Sequence, residues 1–178
     1  MRSLSACALM LALSGALPAQ SPSYGFGRPP KPEEIYGWDI AISPDGKELP
    51  PGSGTSAAGA TVYAAKCAAC HGKTGKEGPN DRLVGGQGTL NTKKPVRTIG
   101  SYWPYATTVW DYINRAMPFD KPGSLSADDV YAITAYLLNL NDIIPAGQVI
   151  DAKTLPQVKM PNRNGFIGDP RPDWVSPH

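Results

Sequence analysis

The sequence predicts a mainly α-helical protein in which one compact central segment lies between two extended, irregular arms. Seven of the 19 prolines fall in residues 21–55 and six in residues 144–178, whereas the 88 residues 56–143 contain only five. Because proline interrupts helices and sheets, the two flanks are expected to be irregular. Helical periodicity recurs three times in the middle, and no alternation of apolar and polar residues persists long enough to predict a sheet.

The first two helices are predicted from their caps and stops. Thr55 or Ser56 can cap the first helix, whose residues four positions apart stack on one face: Gly59, Tyr63 and Cys67. The second helix should begin near Thr107 and end before Pro118. Its apolar residues are Val109, Trp110 and Ile113.

The third helix has the clearest pattern. Ser126 is followed three residues later by Asp129, which resembles a capping box. The apolar residues then repeat at intervals of three, four and three: Val130, Ile133, Leu137 and Leu140.

Residues 1–19 have the features of a secretory signal peptide. Arg2 precedes a short apolar stretch that ends in Leu17-Pro18-Ala19. We therefore expect a soluble, periplasmic protein without a membrane span, and Cys7 is expected to leave with the signal. The predicted organisation is a signal peptide at 1–19, an N-terminal arm at 20–55, a helical domain at 56–143 and a C-terminal arm at 144–178.

Composition excludes one class of partner and raises a packing problem. With 17 basic and 15 acidic residues the net charge is +2, so the chain has no strongly basic character and nucleic acid is not expected as a partner. Only three phenylalanines are present, and three short helices with few large side chains would make a poor core unaided. Something besides the chain is expected to fill the centre.

The motif Cys67-Ala68-Ala69-Cys70-His71 is the pattern for covalent haem attachment. Two thiols three residues apart can bond the two vinyl groups of a haem. The residue that follows the second cysteine offers an imidazole to the haem iron. A thioredoxin-like dithiol would need a βαβ context that is absent, and a structural disulfide would not explain the histidine. Zinc would need about four ligands, and only His178 remains beyond the motif. We therefore predict one covalent haem c, with His71 as an iron ligand.

Three residues are candidates for the sixth position on the iron. Met117 follows the second helix, and Pro118 biases it toward an extended conformation that can turn the thioether inward. Met160 lies in a proline-rich arm and His178 ends the chain, so both are interpreted as surface residues. Met117 is the predicted ligand, and a core-filling methionine is the alternative.

Smaller features acquire roles if a haem is present. The second nitrogen of His71 needs an acceptor, and Pro79 in the loop that follows is predicted to supply a carbonyl. Arg97, Tyr102 and Trp103 are candidates for donating hydrogen bonds to the haem propionates, with plain packing as the alternative for Trp103.

Five motifs are spaced along residues 56–143: Gly59-x-x-x-Tyr63, Cys67-x-x-Cys70-His71, Gly78-Pro79, Met117-Pro118 and Ala135-Tyr136-Leu137. Together they resemble class I cytochrome c. The resemblance implies helices wrapped around one haem, with the first and last helices crossing at the small glycine. It also implies that His71 and Met117 are axial ligands and that Cys67 and Cys70 form thioethers.

A narrower resemblance extends into both arms. Its motifs are Trp38-Asp39-Ile40, Pro44-Asp45-Gly46 and residues 49–54, 85–90, 100–105 and 160–166. They are similar to cytochrome subunits of SoxD-type sulfur dehydrogenases and related sulfite dehydrogenases. The resemblance implies a molybdoenzyme dehydrogenase as electron donor and a downstream cytochrome or terminal oxidase as acceptor. Whether the arms pack on the core or on a partner stays open.

The predicted function is one-electron transfer through a haem that cycles between Fe(III) and Fe(II), as an electron-transfer subunit of an oxidoreductase and not as an enzyme by itself. Histidine and methionine ligation favours the ferrous state and raises the reduction potential. The alternative is a catalytic or ligand-binding haem with an open sixth site, in which Met117 is merely packed.

Overall fold

The structure of this chain is a computed structural model that describes residues 24–168. The predicted signal peptide at residues 1–19 and the candidate ligand His178 lie outside the described residues. The described chain falls into two units, residues 24–38 and residues 39–168.

The first unit contains one short helix, α1 (Pro32–Tyr36). Proline stands at the start of the helix, where its missing N–H costs no hydrogen bond. The Glu34 carboxylate accepts a hydrogen bond from the Lys31 backbone N–H at 2.7 Å and pairs with the Arg28 guanidinium. Tyr36 and Trp38 are exposed. A single turn is too short to give the periodicity that predicts a helix.

The second unit contains the three predicted helices, which confirms the mainly helical fold class. They are α2 (Ser56–Lys66), α4 (Ala106–Ala116) and α5 (Ala127–Leu140), and a one-turn helix, α3 (Ala68–His71), follows α2. Thr55 caps α2, because its hydroxyl accepts a hydrogen bond from the Ala58 N–H at 3.3 Å. The predicted capping box is present at α5, where the Ser126 hydroxyl accepts from the Asp129 N–H.

Helices α2 and α5 cross at small residues. The backbone at Ala132 of α5 lies so close to Gly59 that a Cβ atom at position 59 would overlap the Ala132 carbonyl. Gly54, just before α2, meets the backbone of the same alanine in the same way. The crossing therefore depends on two residues without side chains. The largest fully buried side chains of the core include Tyr63, Trp110, Tyr131, Ile133 and Leu138.

A two-stranded antiparallel sheet, which the sequence did not predict, joins the two ends of the second unit. Strand β1 (Ser53–Gly54) pairs with β2 (Ile150–Asp151), so that Gly54 lies opposite Ile150. Two residues a strand cannot produce a recognisable alternation, and the pairing partners are almost 100 positions apart. The pairing brings the C-terminal region back to the start of α2.

Large parts of both predicted arms pack on the core. Ile42 and Leu49 are buried in the same apolar cluster as the helices, and so are Ile150 and Leu155 on the C-terminal side. A 3₁₀ turn at Leu155–Gln157 follows β2. For these stretches the packing surface is the chain's own core, while residues 24–38 form the separate unit.

None of the described helices combines the length and hydropathy that crossing a bilayer requires. The longest of them, α5, has 14 residues.

Asp111 of α4 binds the backbone of the N-terminal segment of the second unit at Ile42. The carboxylate is 7% exposed and accepts hydrogen bonds from the Ile42 backbone N–H at 2.8 Å and from Arg115 Nε at 2.9 Å. We expect Asp111→Ala to lower the free energy of unfolding by about 2 to 3 kcal/mol, because it leaves a buried N–H without an acceptor. Urea denaturation measures the loss, and the exposed Asp120→Ala is the matched control. Equal effects of the two substitutions would contradict this role.

Candidate functional site

The two cysteines and His71 lie on one turn of chain. Cys67 ends α2, where its N–H donates to the Tyr63 carbonyl, and it also begins α3. The N–H groups of Cys70 and His71 both donate to the Cys67 carbonyl, at 3.1 and 3.0 Å. Positions three and four residues apart share a helix face, so the turn directs both thiols and the imidazole toward the same side.

A carbonyl oxygen fixes the ring of His71. Its Nδ1 lies 2.8 Å from the Asp81 carbonyl oxygen. A carbonyl only accepts hydrogen bonds, so Nδ1 carries the proton and Nε2 is left with the lone pair that a metal needs. This arrangement is the one by which proteins orient an imidazole ligand.

The acceptor differs from the one predicted. The sequence interpretation placed it at Pro79, and the structure has it at Asp81, two residues farther along the same loop. Gly78 lies directly against the Cys70–His71 backbone, and the Asn80 N–H donates to the Cys70 carbonyl at 3.0 Å. At Asn80 the loop therefore still contacts the backbone of the turn. The first carbonyl that reaches the imidazole ring is that of Asp81.

Glycines and a buried tyrosine shape the loop between His71 and Val84. The Tyr63 hydroxyl donates to the Gly72 carbonyl at 2.9 Å, and burial raises the pKa of Tyr63. Gly75, at a φ of 75°, accepts from the N–H groups of Leu83 and Val84. The closed loop holds Leu83 at the edge of the apolar core.

Met117 ends α4 as the sequence predicted. Its backbone is extended, with φ −125° and ψ 148°, and its N–H donates to the Ile113 carbonyl. The side chain is half-buried and packs against the apolar core. Whether its sulfur binds iron stays a prediction.

Met160, interpreted from the sequence as a surface residue, is only 3% exposed and belongs to the core. The interpretation was wrong because the strand pair and the following 3₁₀ turn lead the C-terminal chain back over the helices. The residues just after Met160 contact the loop before α4, whereas Met117 is at the far end of that helix. The 11 residues of α4 separate its two ends by about 16 Å at 1.5 Å per residue.

Half-buried side chains from four separate segments border the core and fit a large apolar group. The junction of α2 and α3 supplies Cys67 and Ala68, the following loop supplies Leu83, and Trp103 and Met117 flank α4. Each packs on the buried cluster while part of it stays exposed. A flat apolar ring system bonded to the cysteines would meet the His71 imidazole on the same turn and apolar side chains at the border of the core. The residues present therefore fit a haem.

Zinc finds no such fit. Among residues 24–168, no three histidine, cysteine, aspartate or glutamate side chains are grouped closely enough to hold a metal ion. Burial raises the pKa of the Cys67 thiol to about 11.

The three propionate candidates lie on the segment before α4. The guanidinium carbon of Arg97 lies 5.6 Å from the centre of the Tyr102 ring. Trp103 makes an edge contact with Tyr112 of α4 at 5.7 Å between ring centres, so it has the packing role that the sequence left as its alternative. The propionate contacts of all three stay predictions.

Comparison with known proteins defines the class first. The family model described as cytochrome C oxidase, cbb3-type, subunit III matches residues 54–137, so the helical unit is a cytochrome c domain. The chain is also similar to the cytochrome chain in the crystal structure of the sulfane dehydrogenase SoxCD from Paracoccus pantotrophus. The identity is 47%, the match covers 85% of this chain and 75% of that chain, and the TM-score is 0.76.

The chain belongs to the SoxD family of cytochromes c and is an electron carrier related to that of SoxCD. The search of curated proteins found no match. The match to the SoxCD chain is longer than the cytochrome domain of residues 54–137, so it includes parts of the flanking sequence.

Proposed function

We propose that this chain is a periplasmic mono-haem cytochrome c that accepts electrons from a molybdenum-containing sulfane or sulfite dehydrogenase. In this proposal Cys67 and Cys70 hold the haem by thioethers, and His71 and Met117 are its axial ligands. The electrons pass on to a downstream cytochrome or a terminal oxidase.

The observation that carries the proposal is the orientation of His71. The Asp81 carbonyl holds Nδ1, the adjoining turn directs the cysteines to the same side, and Nε2 is available to a metal. A haem bound there supplies a one-electron couple between Fe(III) and Fe(II). The chain's own contribution is to fix the imidazole, to border the ring with apolar side chains and to bring Met117 to the end of α4.

The donor is proposed from the family. The related chain belongs to a sulfane dehydrogenase, and the similarity covers three quarters of its length. A thioether ligand raises the potential of a haem, which suits a carrier that takes electrons from a dehydrogenase. An open sixth site would instead favour ligand binding, and it is the alternative to Met117 ligation.

Two measurements on the purified protein test the proposal. Haem staining after denaturation should detect a covalent haem, and Cys67→Ala combined with Cys70→Ala should abolish the stain. The oxidised protein, mixed without oxygen with the dehydrogenase subunit of its own organism, should be reduced on addition of sulfite or a sulfane compound. The cysteine double variant is the control for that absorbance change. Absence of reduction with every sulfur compound would contradict the proposed donor, while a positive stain would leave the cytochrome assignment standing.

A further inference from the structure

Tyr63 binds the cysteine–histidine turn at both of its ends. Its backbone carbonyl accepts a hydrogen bond from the Cys67 N–H at 2.8 Å, where the turn begins. Its side-chain hydroxyl donates to the Gly72 carbonyl at 2.9 Å, directly after His71. The tyrosine is only 1% exposed, and its ring meets that of Tyr136 of α5 at 5.2 Å between ring centres. A side chain packed in the core therefore fixes the point at which the chain leaves His71.

The loop that carries the acceptor of the imidazole closes on the same carbonyl. The Gly72 carbonyl accepts a second hydrogen bond, from the Gly75 N–H at 3.3 Å, and the Gly75 carbonyl accepts from the Leu83 N–H at 2.8 Å. Asp81 lies between these two positions, and its carbonyl oxygen is 2.8 Å from Nδ1 of His71. A continuous series of hydrogen bonds therefore links the tyrosine hydroxyl to the segment that holds the imidazole.

A second buried side chain holds the other end of this segment. Asn141, which directly follows α5 and is 3% exposed, donates from its amide to the Leu83 carbonyl at 3.2 Å and accepts from the Gly85 N–H at 2.9 Å. The same amide also donates to a carbonyl of α5 at 2.9 Å, so this end of the loop is fixed to the helix. The Tyr63 hydroxyl fixes the end of the loop next to His71 in the same way.

We propose that Tyr63 is a positioning residue for the histidine ligand, because its hydroxyl holds the loop so that the Asp81 carbonyl stays on Nδ1 of His71. The inference rests on the proposed haem attachment at Cys67, Cys70 and His71. A carbonyl that accepts from Nδ1 raises the basicity of the imidazole and makes Nε2 a stronger donor to iron. A stronger donor stabilises the ferric state more than the ferrous state and therefore lowers the reduction potential.

Tyr63→Phe tests this role in the intact haem protein, because it keeps the ring in the core and removes only the hydroxyl. The exchange of the His71 Nδ1 proton with solvent, followed by NMR of the reduced protein, should become about tenfold faster as the loop opens more often. The equilibrium constant for reduction should rise about twofold, or ~18 mV at about 59 mV per decade for one electron.

Tyr131→Phe is the matched control, since its ring is also fully buried and its hydroxyl also donates to a backbone carbonyl at 2.9 Å, that of Pro50. Both variants should lower the midpoint of thermal unfolding to a similar extent, but Tyr131→Phe should retain the wild-type proton exchange and potential. Wild-type exchange and potential in Tyr63→Phe would overturn the inference, as would a fall in its potential or equal changes in both variants. In each of these cases a positive haem stain and reduction by the dehydrogenase would leave the proposed function intact.

Discussion

Replacing Gly59 by alanine is expected to lower the midpoint of thermal unfolding by about 10 °C. In an isolated helix the substitution would stabilise α2 by about 1 kcal/mol, because alanine is the better helix former. Here the added Cβ would overlap the Ala132 carbonyl and press on Tyr136, and the obstacle is backbone that cannot rotate away. Separating α2 from α5 by even part of an ångström disturbs the packing of the whole core. We expect the free energy of unfolding to fall by about 3 kcal/mol. For a chain of this size, a loss of that magnitude corresponds to a fall of about 10 °C in the unfolding midpoint.

Gly37→Ala provides the matched control for this glycine. Its φ of −68° is ordinary, and the nearest atom to an added Cβ is the Glu34 carbonyl oxygen at 3.9 Å. The same covalent change should therefore leave the midpoint within about 2 °C of wild type. A Gly59→Ala protein as stable as the wild type would mean that α2 and α5 can separate without loss.

The helices were predictable because each has a local cause. The Thr55 and Ser126 hydroxyls accept from the third residue on, and Pro118 ends α4 one residue after Met117. The spacing of Gly59, Tyr63 and Cys67 predicted that these residues share one face of the first helix, and Gly59 and Tyr63 are buried. These features act over four residues or fewer, so a sequence window contains all that is needed.

The remaining features depend on contacts between distant positions. Strands β1 and β2 have only two residues each, so their pairing has no recognisable sequence pattern. Met160 follows β2 and is buried, although the prolines of this segment indicated an exposed arm. The acceptor for His71 was predicted in the correct loop but at the wrong carbonyl, because the path of the loop depends on how closely Gly78 can approach the turn. The spacing of the Cys-x-x-Cys-His motif identified His71 as the residue that needs an acceptor. Which carbonyl reaches its Nδ1 atom depends on the three-dimensional packing of the loop.

Replacing Met117 by alanine is expected to abolish the sulfur-to-iron absorption band of the oxidised protein and to lower its reduction potential. The thioether is the sixth ligand in the proposed site, and it stabilises the ferrous state. Alanine has no atom that can bind iron, so the variant lacks the proposed sixth ligand at position 117. We expect a high-spin spectrum and, after reduction, a spectrum that responds to carbon monoxide. The fall in potential should be large, since axial ligands set haem potentials over about 0.8 V.

Met160→Leu separates ligation from packing. Met160 is the other methionine of the proposed core and is almost fully buried, and leucine keeps its apolar volume. The variant should retain the absorption band, remain low-spin and lose little stability, because the residues that follow Met160 contact the opposite end of α4. Loss of the band in Met160→Leu with its retention in Met117→Ala would reverse the assignment. Loss in neither variant would move the sixth ligand to His178, and a wild-type protein without the band would favour an open sixth site.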